Sequence, residues 1–131
     1  MKVLFAALIA PALFASIANA KTMACASGKE EILYFQDGQL VMTAEVVASD
    51  KIENVEMSFL PDRKLGASET EVQAQKKGDW MRFYLDGDAW CSYKVVVPSN
   101  FSRANGSFIA IVDAVCEENI NSTIRMNCRL R

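Results

Sequence analysis

Apolar and polar residues alternate along this chain in short stretches, and Gly, Asn and Asp fall between the stretches at close intervals. That is the period-two pattern of half-buried strands separated by turns, and it predicts an antiparallel all-β domain. Residues 54–59 show it most plainly. Val55, Met57 and Phe59 lie on one side, Asn54, Glu56 and Ser58 on the other, and Pro61 closes the run. The pair Asp37-Gly38 separates Ile32-Leu33-Tyr34-Phe35 from Leu40-Val41-Met42-Thr43, so a two-residue turn there sets Phe35 opposite Leu40 and Leu33 opposite Met42. Residues 80–85 and 89–97 flank Asp86-Gly87-Asp88 and carry the strongest hairpin signal. A strand over 107–115 follows the Asn105-Gly106 turn, and a last one over 123–130 puts Ile124, Met126, Cys128 and Leu130 on one face.

Residues 68–78 fit two patterns. Thr70, Val72 and Ala74 alternate with Glu69, Glu71, Gln73 and Gln75, while Ser68 and Glu71 match a capping box and Lys76-Lys77-Gly78 a helix end. A helix there has only Val72 and Ala74 to bury, on different faces, so the strand is preferred. The whole amounts to about eight strands, arranged as an antiparallel β-sandwich or a small β-barrel.

The first twenty residues read differently from the rest: Lys2, an apolar run over 3–17, then small Ala18 and Ala20 around Asn19. These are the parts of a secretory signal peptide, so residues 1–20 are expected to be removed near Ala20 and residues 21–131 to form a single all-β domain in the periplasm or outside the cell. No later apolar run approaches the roughly 20 residues that cross a bilayer, so no membrane insertion is expected. Asn100, Asn105 and Asn121 each begin an N-glycosylation acceptor pattern, but the Ala-Asn-Ala ending of the signal has a bacterial look, and there the pattern reads as turn chemistry.

An oxidising compartment turns Cys25, Cys91, Cys116 and Cys128 into two expected disulfides. A tight turn at Asn119-Ile120 would set Cys116 opposite Thr123 and leave Cys128 about 16 Å further along its strand. A disulfide needs Cα atoms within roughly 7 Å. Joining Cys116 to Cys128 therefore requires a wide loop, whereas the other arrangement joins Cys91 to Cys116 across neighbouring strands and Cys25 to Cys128 between the two ends of the domain. Both remain open, with Cys25 to Cys116 the least favoured. No CxxC is present to suggest a redox pair or a metal site.

The chain contains no histidine, which removes Ser-His-Asp and Cys-His hydrolysis and the commonest zinc ligand. Asp86-Gly87-Asp88 with Asp79 has calcium-like composition, but Asp-Gly is ordinary turn chemistry and the fuller spaced acidic loop is absent. Two carboxylates can run glycoside hydrolysis, yet no pair is singled out, so neither catalysis nor a cofactor or metal is expected. Without Lys2, 16 Asp and Glu face 13 Lys and Arg, a balance of about −3 that offers no nucleic-acid footprint.

The sharpest candidate site comes from placing the hairpin at Asp86-Gly87-Asp88 in register. A three-residue loop pairs Leu85 with Ala89, Phe83 with Cys91 and Met81 with Tyr93 on the core face. The other face then holds Trp80, Arg82, Tyr84, Trp90, Ser92 and Lys94. Three aromatics beside two cations is the composition of a recognition patch, suited to an acidic protein loop or to sugar rings, unless a second layer covers that face and makes the aromatics core. A one-residue slip of the loop would reverse the facing. In size, signal and disulfides the chain resembles small periplasmic inhibitors of lysozyme or proteases, which implies an inhibitor-like module, although fold does not imply function. The expectation is a secreted or periplasmic, non-catalytic binding protein whose partner is a protein or an envelope glycan. Trp80, Arg82, Tyr84, Trp90 and Lys94 would form its site. The other possibility is a structural envelope component that assembles through an exposed strand edge.

Overall fold

In the computed structural model of the chain the described residues are 21–30, 38–48, 50–60, 63–87, 91–117 and 120–131. Among these residues the alternation of the sequence becomes ten strands: β1 (Lys21–Glu30), β2 (Gly38–Ala48), β3 (Lys51–Leu60), β4 (Arg63–Ser68), β5 (Val72–Gln73), β6 (Gln75–Lys77), β7 (Trp80–Asp86), β8 (Cys91–Pro98), β9 (Ser107–Cys116) and β10 (Ile120–Leu130). A 3-10 turn, Phe101–Arg103, joins β8 to β9 and buries Phe101. All the strands belong to one antiparallel sheet in the order β4-β3-β2-β1-β10-β9-β8-β7-β6, with β5 paired to β3. The sheet curls on itself, so the fold is the barrel-like member of the two expected architectures, a half-barrel with more strands than the eight anticipated.

Every long strand turns one set of alternate residues inward. Met23 and Cys25 of β1, Leu40 and Met42 of β2, Met57 of β3, Phe83 and Leu85 of β7, Tyr93 and Val95 of β8, Val112 of β9 and Met126 of β10 all belong to one buried cluster. Removing their apolar surface from water is the main force that holds the curl. The two ends of the domain lie side by side, because β1 pairs with β10 and Thr22 and Arg131 exchange backbone hydrogen bonds of 3.1 and 2.9 Å. Both disulfides join directly opposed residues of neighbouring strands: Cys25 with Cys128 between β1 and β10, and Cys91 with Cys116 between β8 and β9. This is the second of the two pairings left open by the sequence.

The sheet's edges also meet. β5 takes the outer edge of β3 at Lys51 and Ile52, β4 takes it from Val55 to Phe59, and the chain then crosses to pair β6 with β7. β4 lies against the free part of β7 so closely that a Cβ added at Gly66 would come within 2.8 Å of the Asp86 carbonyl oxygen. Glycine stands here because two backbones approach, not because of a special dihedral.

Several expected registers are corrected. β2 pairs with β1, Glu30 opposite Gly38, and the expected partner strand at residues 32–35 lies outside the described residues, as does the signal segment 1–20. No helix forms over residues 68–78, and the preferred strand is reduced to the short β5 and β6 on either side of the crossing. Cys116 faces Ile120, not Thr123, so the β9–β10 register is displaced by three residues from the one that a turn at Asn119-Ile120 sets. In the central hairpin Met81 faces Val97 instead of Tyr93, and Leu85 faces Tyr93 instead of Ala89. No helix among the described residues is long and apolar enough to cross a membrane.

Candidate binding face and groove

The correction in the central hairpin leaves its faces intact. β8 slides by four residues relative to β7, and because side chains alternate with period two, an even shift returns each of them to the side it started on. Met81, Phe83 and Leu85 remain buried, while Trp80 is 47 % and Tyr84 56 % exposed on the outer surface. Arg82 lies between them, half-buried, and Ser92 and Lys94 of β8 share this surface. Trp90, the third aromatic of the expected patch, lies outside the described residues. No second layer of the described chain covers the face.

Cross-strand pairing extends the face beyond the hairpin. Tyr84 stands opposite Lys94, Lys94 opposite Asp113 of β9, and Asp113 opposite Thr123 of β10, which makes one outward row over four strands. A parallel row runs Arg82, Val96, Ile111, Arg125, and another Asp86, Ser92, Val115, Asn121. The sequence reading stopped at the hairpin and missed the residues of β9 and β10. Their outward phase was present in the alternation, but which strand neighbours β8 is a long-range fact that periodicity does not carry.

One consequence alters the chemistry. The hairpin alone presents Lys94 as a cation without a carboxylate, whereas in the sheet its Nζ lies 3.0 Å from Oδ2 of Asp113. Thr123 Oγ1 donates to Asp113 Oδ1 at 2.9 Å. Burial raises the Asp113 carboxyl's pKa, but the hydrogen bonds from Lys94 and Thr123 and the lysine's charge outweigh it and hold the group below its ordinary value. Arg82 and Arg125, by contrast, have no carboxylate partner among the described residues.

At the Tyr84 end of this face the surface is concave. An open groove of about 500 Å³ is bounded by Tyr84, Ser92, Lys94, Asp113, Val115, Asn121, Ser122 and Thr123, with Tyr93 and Ala114 at its base. That volume falls within the usual range for small-ligand sites. No group of three or more Cys, Asp or Glu placed to hold a metal is found among the described residues. Face and groove together offer hydrogen-bonding groups, the exposed rings of Trp80 and Tyr84, and the cations Arg82 and Arg125.

No protein family, curated protein or solved structure matches this chain.

Proposed function

We propose that the chain is a non-catalytic binding protein of the periplasm or extracellular space that grips a protein or an envelope glycan with the outer face of β7 and β8. The observation that carries this reading is the exposure of Trp80 and Tyr84 on either side of Arg82 along a single strand. Large aromatics and arginine are the side chains that concentrate binding energy at interfaces, and a folded domain gains nothing by leaving two of them in water. The compartment rests on the signal-like start of the chain and on cysteines that are all in disulfides. Assembly through a strand edge has no comparable observation behind it, and β4 lies against β7 where Gly66 meets the Asp86 carbonyl.

The test is equilibrium binding of the oxidised protein to two defined acidic probes, polyglutamate for an acidic protein surface and polygalacturonate for an acidic glycan. Binding to at least one, weakened tenfold or more in a Trp80→Ala, Arg82→Ala double variant that unfolds at the unaltered denaturant concentration, supports the reading. Binding that ignores both substitutions, or none to either probe, overturns it.

A further inference from the structure

The groove at the Tyr84 end differs in chemistry from the Trp80 end. Its one cation and one carboxylate, Lys94 and Asp113, neutralise each other across 3.0 Å, so it presents strong dipoles and no net charge. A free anion or a free cation would have to compete with that pair. The remaining polar groups are Ser92, Ser122, Thr123 and the Asn121 amide, all of which both donate and accept hydrogen bonds. Sugar hydroxyls do the same. Tyr84 supplies an exposed ring, 56 % accessible, at one end of the row, and Val115 supplies an apolar wall, 48 % accessible, beside it. Three strand spacings separate Tyr84 from Thr123, about 14 Å, which is long enough for more than one sugar ring.

We infer that this groove is a subsite for an uncharged saccharide, with the apolar face of a pyranose on the Tyr84 ring and its hydroxyls on Asp113, Lys94 and Asn121. The inference rests on the proposed binding face and assigns the ligand of one end of it. Asp113 is held by Lys94 and Thr123 before any ligand arrives, so it accepts from a hydroxyl without reorganising, and its partly exposed oxygens keep lone pairs for that purpose. Tyr84 contributes through its ring, so phenylalanine replaces it and alanine does not.

Saturation-transfer NMR with cellotetraose, maltotetraose and chitotetraose at millimolar concentration tests this on the intact oxidised protein. Transfer to at least one of them is expected, weakened tenfold or more by Tyr84→Ala and by Asp113→Asn, kept by Tyr84→Phe, and indifferent to Trp80→Ala. Tyr84 is more than half exposed, so its variants leave the fold in place, which the amide spectrum checks. Absence of transfer from all three, or transfer that survives Tyr84→Ala, overturns the inference. If the sugars fail while Trp80-dependent binding of polyglutamate or polygalacturonate persists, only the groove assignment falls. If both fail, the binding face falls with it.

Discussion

Ser27, 4 % exposed, is the buried polar side chain among the described residues, and it sits where β1 and β2 lose step. The register shifts between Ala26 and Lys29, so the Leu40 N–H has no carbonyl opposite it and donates instead to Ser27 Oγ at 2.9 Å, while that hydroxyl donates to the Gly28 carbonyl at 2.7 Å. Ser27→Ala leaves a buried donor unpaired and is expected to lower stability by about 1–3 kcal/mol, read as a lower urea midpoint at unchanged slope. An unchanged midpoint would show that water reaches Leu40. Gly87 carries a comparable constraint of space. A Cβ there would strike the Cys91 carbonyl and the Tyr93 ring. Its φ is not positive, so the limit there is the crowding of the β8 backbone and the Tyr93 ring against it. Gly66→Ala, at the β4–β7 seam, is expected to cost about 1–3 kcal/mol as an overpacking change, measured the same way.

At the scale of elements, two disulfides do different work. Cys91–Cys116 closes 25 residues between adjacent strands, whereas Cys25–Cys128 closes 103 and ties the two ends of the domain. Loop-entropy arguments give about 3.5 kcal/mol for the shorter loop and about 4.7 for the longer. Replacing the cysteines pairwise by alanine is expected to hurt more for the longer loop, by about 1 kcal/mol in urea titrations, and the reverse order would mean that local packing outweighs chain entropy. Between β8 and β9 the Lys94–Asp113 pair adds a pH dependence. Since the folded carboxyl is held below its unfolded value of about 4, its contribution is present above that pH and is lost as pH falls through the lower folded value. Both side chains are about one-third exposed, so screening limits the effect to about 1 kcal/mol or less. Asp113→Asn is therefore expected to flatten the fall of stability below pH 4 while lowering it at neutral pH, and parallel curves for the two proteins would refute the assignment. Elements also show what the chain alone discloses. The strands over 54–59, 80–85, 107–115 and 123–130 were legible because Val, Ile, Phe and Met recur in them with period two. β1, Lys21–Glu30, was not, since its inward residues Met23, Cys25 and Ser27 stand among alanines and a glycine with no β-branched residue but Thr22. The face of Trp80 and Tyr84 was legible despite a wrong register because the error was even. The groove was not, because it is made where β8, β9 and β10 become neighbours.

Across the whole molecule, charge is sorted by position. Along the sequence, 38–74 carries seven acidic residues against Lys51, Arg63 and Lys64, while 75–131 carries Lys76, Lys77, Arg82, Lys94, Arg103, Arg125, Arg129 and Arg131 against six acidic residues. A chain that is acidic in sum thus still sets Arg82 and Arg125, neither of them paired with a described carboxylate, on the outer face with Trp80 and Tyr84. Net charge governs solubility, but an approaching partner feels the local field within about 10 Å at 0.1 M salt, and that distance shrinks to about 3 Å at 1 M. The two ends of the face should therefore separate under salt. Binding of polyglutamate or polygalacturonate near Arg82 and Arg125 is expected to weaken at least tenfold between 0.05 and 0.5 M salt, and Arg82→Gln with Arg125→Gln should remove most of that dependence. An uncharged oligosaccharide beside Tyr84 has no charge to screen, so its affinity is expected to stay within about twofold over the same range. Equal salt dependence for both ligands would mean that one electrostatic surface serves them both, and that the neutral groove has no separate role.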